Sequence, residues 1–336
     1  MAIEVKTSAR ILVTGGTGLV GRALAALLAR EGYANVVGVG SRDFDLRSDA
    51  EVARMYRDTR PDYVFHLAAK VYGIGGNQRY KSDVLYENVL INTHVVEHGR
   101  RAGVKKLVAM GSGCVYPELP GVEELREEQI WLGPPHPSED SYAHSKRLML
   151  AQLIAAKEQY GFQSAFAISG NLYGPHDSFD IEFGHVTPAL VAKFFNAKRD
   201  GSPVRIWGSG IAVRDFSHAD DAALGLLAVL RHADGPINLG SGMRHAIREI
   251  VDALVDATGG TVKTEWDASK PDGQHRRFYE MSRLWATGFR PRVTLREGVR
   301  STYEWYAANW PNVRTGEAEP RHRTTEARGL LPGAHP

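Results

Sequence analysis

The chain has 336 residues, enough for one large domain or for a large and a small domain that share a core. Its 41 basic and 39 acidic residues give a formal net charge of +2, which argues against a general nucleic-acid or membrane-surface binder. The single cysteine, Cys114, excludes an intramolecular disulfide and a cysteine-based zinc site, and we expect no bound metal. No signal core or spanning stretch is present, so we expect a cytoplasmic protein without a membrane partner.

The first half of the chain alternates strand-like apolar runs with helical patterns. Strands are predicted at 9–14, 35–39, 63–67, 106–111 and 164–169, and helices at 19–30, 50–57 and 142–160, with a polar, Pro-rich loop at 134–140. Such alternation is typical of βαβ units, which place helices on both faces of a parallel sheet. The sequence therefore predicts an α/β fold with a Rossmann-type doubly wound parallel sheet.

The pattern changes from about residue 177, where glycines, prolines and short segments intervene. Short apolar segments at 203–207, 236–239 and 261–265 predict a smaller mixed α/β domain that binds substrate. We expect the Rossmann-type domain over 8–176, with later segments free to return to it, and the substrate domain mainly over 177–312. Residues 313–336 contain few large apolar side chains, and this composition predicts a disordered tail.

A glycine-rich loop follows the first predicted strand directly and begins the first helix. Its pattern is Gly15-x-x-Gly18-Leu19-Val20-Gly21. Glycines allow positive φ and a close approach of the backbone to a pyrophosphate, and the free N–H groups of the helix N-terminus favour an anion. The pattern indicates a dinucleotide cofactor; the alternative is a turn that merely caps the helix.

The end of the second strand indicates which dinucleotide is bound. An enzyme that uses NAD usually has an acidic residue there to accept the ribose hydroxyls. Here the strand continues into Gly40-Ser41-Arg42-Asp43, and the guanidinium of Arg42 is a natural partner for a 2′-phosphate. The pattern favours NADP. Two alternatives stay open: that Arg42 is an ordinary solvated loop residue, and that Asp43 reaches a ribose.

Tyr142 and Lys146 are spaced i and i+4, which places them one turn apart on the same face of a helix. A lysine ammonium there can lower the pKa of the tyrosine and hold the nicotinamide ribose, and the tyrosine can exchange a proton with a substrate oxygen. Ser112 ends the preceding strand and can hydrogen-bond the same oxygen. These three residues predict a nicotinamide-dependent oxidoreductase.

Further motifs occur at 66–71, 111–117, 171–177, 184–190, 207–210, 214–216 and 267–273. With these motifs the chain resembles the extended short-chain dehydrogenases/reductases from about residue 10 to residue 310. Within that family it is most similar to the GDP-L-fucose synthases. The resemblance implies NADPH-dependent 3,5-epimerisation and 4-reduction of a GDP-linked 4-keto-6-deoxy sugar by a homodimer, which would pair through helices at about 82–102 and 142–160.

The resemblance also implies roles for individual residues. Cys114 matches the family's base for the epimerisation and His185 its acid, beside Ser112, Tyr142 and Lys146. Further cofactor contacts match Leu67, Ala68, Ala69, Asn171, Leu172 and His185, and the contacts to the GDP-sugar match Lys193, Trp207, Arg214 and Asp272.

Each of these assignments has an alternative. Cys114 can be a small buried apolar residue, His185 a structural histidine, Trp207 a core residue and Asp272 a turn residue. The chain also departs from the family at Tyr72, at Ser169-Gly170 and at Ile211-Ala212. The first two departures fall near the expected nicotinamide and sugar pocket and leave the exact sugar open. An enzyme with only one half of the activity is a further alternative. An inactive NADP-sensing scaffold is the alternative of another class, and the intact Ser112, Tyr142 and Lys146 argue against it.

Overall fold

The structure is a computed structural model that describes residues 3–269 and 276–315. Its strands are β1 Ile11–Thr14, β2 Val36–Val39, β3 Tyr63–His66, β4 Lys106–Met110, β5 Ser164–Ser169, β6 Asn171–Tyr173, β7 Val204–Trp207, β8 Val213–Arg214, β9 Phe216–His218, β10 Gly235–Leu239, β11 His245–Ala246, β12 Thr264–Asp267 and β13 Arg276–Arg277. Its α-helices are α1 Leu19–Arg30, α2 Asp49–Thr59, α3 Ile74–Arg79, α4 Lys81–Arg101, α5 Asp140–Tyr160, α6 Val186–Asp200, α7 Ala219–His232, α8 Ile247–Ala257, α9 Ser282–Trp285 and α10 Leu295–Asn309. Two 3-10 helices cover Gly113–Val115 and Glu127–Trp131.

Six parallel strands form the central sheet in the order β10-β5-β4-β3-β1-β2. Every residue of β1, β3, β4 and β5 is buried, as expected of parallel strands that are covered on both faces. Helix α1 packs against α7, and α4 packs against α2 and α5. This is the doubly wound Rossmann-type sheet that the sequence predicts, and the carboxyl ends of its strands meet at one edge.

A second apolar core lies beside the sheet and is formed mainly by α6, α8 and α10. Strands β7 and β12 form a parallel pair next to it, and β11-β8-β13 and β6-β9 form two further small sheets. The short segment at 261–265 overlaps the start of β12, which covers Thr264–Asp267. The turn after α8 precedes this strand: Gly259 and Gly260 have positive φ, and the Thr261 hydroxyl donates to the Thr258 carbonyl.

The chain returns to the first core after entering the second. Strand β10 pairs with β5 at the edge of the central sheet, and α7 and α9 pack beside it. None of the helices in the described ranges is long and apolar enough to cross a membrane. Of the tail predicted at 313–336, residues 316–336 lie outside the described ranges.

Candidate active site

The glycine loop between β1 and α1 has the geometry of an anion cradle. Gly15 has φ +71°, and a Cβ on Gly21 would lie 2.2 Å from the Gly15 carbonyl oxygen. Gly18 is the N-cap of α1, with no side-chain cap and no acidic residue in the first turn. A Cβ on Gly18 would meet only the Gly15 carbonyl oxygen, at 3.4 Å. The N–H groups of Leu19 and Val20 therefore begin a helix without a side-chain acceptor, which fits a bound diphosphate.

The loop after β2 lies at the same edge of the sheet. Ser41 and Arg42 are both exposed. The Gly40 N–H donates to Asp43 Oδ2 at 2.8 Å, so this carboxylate closes its own turn. That bond disfavours the interpretation in which Asp43 accepts ribose hydroxyls, and Arg42 is left as the charged side chain available to a phosphate.

Residues 67–69 follow β3 and line the neighbouring part of this edge. The Leu67 N–H donates to the Thr14 carbonyl at 3.1 Å, and the Ala68 N–H donates to Thr14 Oγ1 at 3.4 Å. Ala69 is partly buried beside them. A Cβ on Gly15 would lie 2.9 Å from the Ala68 nitrogen, so the two loops pack closely. The predicted cofactor residues from the first three strands therefore share one surface.

Helix α5 places Tyr142 and Lys146 on one face, as their spacing predicts. Lys146 Nζ lies 5.6 Å from the centre of the Tyr142 ring. Burial lowers the pKa of Lys146 to about 8, and the nearby Cys114 opposes this effect. Burial also raises the pKa of Tyr142, and Cys114 and Glu139 add to that rise. Burial thus outweighs any lowering by the lysine, and the phenol is held protonated, as an acid that can donate to a substrate oxygen.

Ser112 and Cys114 form a tight turn that follows β4. Ser112 is the N-cap of the 3-10 helix Gly113–Val115, and its hydroxyl accepts from the Cys114 N–H at 3.4 Å. This short helix packs against α5, and Cys114 lies close enough to Tyr142 to affect its pKa. Cys114 is 3% exposed, and burial, followed by Glu139, raises the pKa of its thiol to about 12. A hydrogen bond with Ser112 and the charges of Arg277 and Lys146 act in the opposite direction.

A buried polar network that the sequence does not predict connects the central sheet to α5. His66 Nδ1 lies 2.8 Å from Thr14 Oγ1, and His66 Nε2 lies 3.1 Å from Asn92 Oδ1. The Asn92 amide in turn donates to the Ser145 carbonyl at 3.4 Å. Burial, followed by the Lys146 ammonium, lowers the pKa of His66 to about 3. A neutral histidine therefore links the sheet to the helix that carries Tyr142 and Lys146.

An ion pair that the sequence does not predict joins the N-terminus of α5 to β13. Arg277 Nη2 donates to Glu139 Oε2 at 3.0 Å. The register of β8 and β13 places Arg277 beside Arg214, and burial, followed by Arg277, lowers the pKa of Arg214 to about 10. Glu139 precedes Tyr142 by three residues, a spacing that would have indicated its position on this side of the helix.

His185 is exposed at the N-cap of α6. The Gly73 N–H donates to the Phe183 carbonyl at 2.7 Å, which fastens the loop before α6 to the loop after β3. The segment that carries His185 is therefore tied to the loop that follows β3. Asn171 in β6 is exposed and Leu172 is partly buried, and the Asn171 side chain donates to the Asp215 carbonyl at 3.3 Å.

Three of the remaining predicted substrate contacts lie in described elements: Lys193 in α6, Trp207 in β7 and Arg214 in β8. Trp207 is 68% exposed, which is incompatible with a core role. Lys193 Nζ lies 5.8 Å from the centre of the Trp207 ring, and burial lowers the pKa of Lys193. The Arg214 guanidinium donates to the Val213 carbonyl at 2.8 Å. Asp272 lies outside the described residues.

A dinucleotide cradle at the carboxyl edge of a parallel sheet, followed by a serine, a tyrosine and a lysine in one site, is typical of nucleotide-sugar oxidoreductases and epimerases. The family model for the NAD dependent epimerase/dehydratase family matches residues 11–240, more than half of the chain. The chain therefore belongs to this family, which comprises the extended short-chain dehydrogenases/reductases.

The chain is similar to individual proteins and solved structures over about nine-tenths of its length. GDP-L-fucose synthase 1 of Arabidopsis thaliana is 36% identical over 305 residues, which are 90% of this chain and 94% of the relative. The NADP-bound GDP-L-fucose synthetase of Naegleria fowleri has a TM-score of 0.86 at 31% identity, with 94% and 97% of the two chains covered. A GDP-6-OMe-4-keto-L-xylo-heptose reductase of C. jejuni has a TM-score of 0.85 at 27% identity, with 91% and 99% covered.

Proposed function

We propose that this protein is a cytoplasmic, NADPH-dependent enzyme that epimerises a GDP-4-keto-6-deoxy-hexose at C3 and C5 and reduces it at C4, as a GDP-L-fucose synthase does. The observation that carries the proposal is the packing of the turn that holds Ser112 and Cys114 against α5, the helix that carries Tyr142 and Lys146. Reduction alone needs Ser112, Tyr142 and Lys146. A thiol in the same turn adds a group that can remove a proton from carbon.

NADPH fits the cradle at the edge of the sheet and, when bound, supplies the hydride for C4. The Leu19 and Val20 N–H groups would hold its diphosphate, because α1 has no other N-terminal acceptor. Arg42 would pair with the 2′-phosphate, and Ser41 would donate to it. Further contacts are proposed from Gly15, Gly18, Gly21, Leu67, Ala68, Ala69, Lys146, Asn171, Leu172 and His185.

The chemistry is assigned to five side chains. The Cys114 thiolate takes the proton from the carbon beside the ketone, and His185 returns a proton to the opposite face, which inverts that carbon. Ser112 and Tyr142 donate hydrogen bonds to the enolate oxygen formed in between. Tyr142 then gives its proton to the C4 oxygen, and Lys146 holds the tyrosine and the ribose in place.

The GDP part of the substrate is assigned to Lys193 of α6, Trp207 of β7 and Arg214 of β8. Arg214 and Lys193 would neutralise the diphosphate, and the exposed Trp207 ring would pack on the base or the sugar. Asp272 is proposed as a further contact from the sequence resemblance alone.

A second candidate is an enzyme that reduces a GDP-keto-sugar without epimerising it. The similarity to the heptose reductase of C. jejuni supports it, and so does the pKa of about 12 of the Cys114 thiol, which disfavours the thiolate. The two candidates differ in a single measurable step, the loss of protons from C3 and C5.

We also propose that the enzyme is a homodimer that pairs through α4 and α5. These helices pack against each other and leave Leu85, Tyr86, Leu148 and Ile154 exposed. Burial of these apolar side chains against a second copy would stabilise the dimer. The mass in solution tests this proposal: Tyr86→Lys combined with Leu148→Glu should convert a dimer of about twice 37.0 kDa into a monomer.

The test of the function is incubation with GDP-4-keto-6-deoxy-mannose in deuterated water, with and without NADPH. Oxidation of NADPH together with deuterium at C3 and C5 of the product supports the dual activity. Replacement of Cys114 by alanine should abolish the deuterium uptake and leave the fold intact. Reduction without deuterium uptake supports the second candidate. An absence of turnover despite tight NADPH binding contradicts both candidates for this sugar.

A further inference from the structure

The ion pair between Glu139 and Arg277 joins two parts of the chain that are 138 residues apart. Its members are largely covered, with side-chain exposures of 24% for Glu139 and 16% for Arg277. Glu139 is the N-cap of α5, but its side chain makes no capping hydrogen bond. The Glu139 carboxylate therefore accepts from Arg277 and does not cap the helix.

This ion pair lies against the turn that holds Cys114. A Cβ on Gly113, the neighbour of Cys114, would lie 1.9 Å from the Tyr279 hydroxyl, so this turn packs directly on the segment that follows β13. Arg277 and Tyr279 are two residues apart in an extended segment, which places their side chains on the same side. The same turn packs against α5, which begins one residue after Glu139. Glu139 and Arg277 therefore both lie close to the turn that holds the thiol, near enough for their charges to act on it.

The two members act on the thiol with opposite signs. A carboxylate disfavours a neighbouring thiolate and a guanidinium favours it. Burial and the charge of Glu139 raise the pKa of the Cys114 thiol, whereas Ser112, Arg277 and Lys146 lower it. Among the residues that the structure describes, Tyr142, Arg147 and Tyr279 also interact electrostatically with Cys114.

We propose that Glu139 and Arg277 are positioning residues that control the charge state of Cys114, Glu139 by opposing the thiolate and Arg277 by stabilising it. The inference extends the proposed function, in which Cys114 is the base. Because the pair is closed, its two charges largely cancel at the thiol. A ligand that draws Arg277 away from Glu139, or that covers Glu139, would shift this balance. An anionic ligand at the adjacent Arg214 is placed to do so.

The single cysteine of the chain makes a direct test possible without any substrate. The rate at which iodoacetamide alkylates Cys114 is followed by intact mass over a range of pH; the reagent is neutral, so added charge does not steer it. Glu139→Gln should raise the rate about tenfold at a given pH, and Arg277→Gln should lower it about tenfold, since one pKa unit is a tenfold change in thiolate. The double variant should lie within about threefold of the wild type.

Two further variants make the result decisive. Glu139→Asp keeps the charge and should restore a rate close to that of the wild type. Glu124→Gln removes the same charge from an exposed pair, in which Arg244 lies 2.7 Å away, and should leave the rate unchanged. Circular dichroism checks the fold of each variant. Equal rates in Glu139→Gln, Glu139→Asp and the wild type would overturn the inference, and so would shifts of the same sign in Glu139→Gln and Arg277→Gln.

The outcome is separable from that of the proposed function. Shifted alkylation rates without any deuterium uptake into the sugar would support the ion pair's control of the thiol and contradict the epimerase assignment. Deuterium uptake by the wild type with unshifted alkylation rates would do the reverse.

Discussion

His66 Nε2 and Asn92 Oδ1 lie 3.1 Å apart in the buried layer between the central sheet and α5. His66 is 0% exposed and Asn92 1% exposed, so water does not compete for either group. Through the Ser145 carbonyl, this contact fixes the turn of α5 that lies between Tyr142 and Lys146. The position of the proton-donating face of α5 therefore depends on a histidine that is itself held neutral.

Replacement of Asn92 by alanine should lower the free energy of unfolding by about 1–3 kcal/mol, because it leaves the buried His66 Nε2 without its partner and removes one donor from the Ser145 carbonyl. It should also reduce kcat more than it changes KM for NADPH, because α5 loses its support beneath the catalytic face. Urea unfolding and steady-state kinetics measure the two effects. Asn35→Ala is the control: Asn35 donates to the Ser8 carbonyl at the surface, and its loss should cost less than about 1 kcal/mol. Equal losses in the two variants would contradict the role of the network.

Lys146 should make stability depend on pH in a defined direction. Its pKa is about 8 in the fold against 10.5 in the unfolded chain, so between these values the unfolded state binds more protons. The free energy of unfolding therefore rises with pH across this window. Below about pH 8 the buried ammonium destabilises the folded state. Lys146→Met should be more stable than the wild type near pH 7, by up to about 3 kcal/mol. The difference should shrink towards pH 10.5.

Lys106 is the matched control for this prediction. Burial also lowers its pKa to about 8, but its ammonium donates to the carbonyls of Val229, Leu230 and Ala233 at the end of α7. Lys106→Met should therefore destabilise the protein, because buried carbonyls lose their donor. Urea unfolding at several pH values separates the two lysines. A pH-independent difference between Lys146→Met and the wild type would contradict the prediction.

The parallel sheet could be predicted from the sequence because its strands are near-continuous apolar runs. The helix at 19–30 and the strand at 164–169 agree with the structure to the residue. An apolar run indicates a strand that is buried on both faces of the sheet, and local patterns also indicate where a helix begins and ends. The catalytic spacing of Tyr142 and Lys146 is also local, since one helical turn fixes it.

The contacts that join distant segments could not be predicted in the same way. Arg277 meets Glu139 only because β13 pairs with β8, and the two-residue β13 carries no apolar pattern. The neutral state of His66 depends on burial by α4 and α5, which the motif at 66–71 does not encode. Register and burial of this kind are properties of the assembled fold, so the sequence indicates candidate reacting groups but not the groups that hold them in place.

Arg42 should decide the preference for NADPH over NADH. Arg42→Ala should weaken NADPH binding about tenfold or more, because an exposed but bidentate contact to a phosphate is lost, and should leave NADH binding nearly unchanged. Quenching or transfer of protein fluorescence on titration with each cofactor gives both constants. Arg57→Ala, an exposed arginine of α2, controls for the loss of one positive charge. A parallel weakening of both cofactors would show that Arg42 acts on the loop rather than on the 2′-phosphate.

Gly18 and Gly21 should separate cofactor binding from folding within a single loop. At Gly21 a methyl group would lie 2.2 Å from the Gly15 carbonyl oxygen, a contact that the backbone cannot relieve without moving. Gly21→Ala should therefore unfold at a lower urea concentration and bind NADPH poorly.

At Gly18, φ is −84° and the protein atom nearest to an added methyl group would be 3.4 Å away. Gly18→Ala should therefore fold with a stability within about 1 kcal/mol of the wild type. Its methyl group would nevertheless project where the α1 N–H groups meet the diphosphate, and NADPH affinity should fall about tenfold or more. Urea unfolding and cofactor titration of both variants measure the pair. If Gly18→Ala binds NADPH as tightly as the wild type, the loop is a helix cap and the diphosphate lies elsewhere.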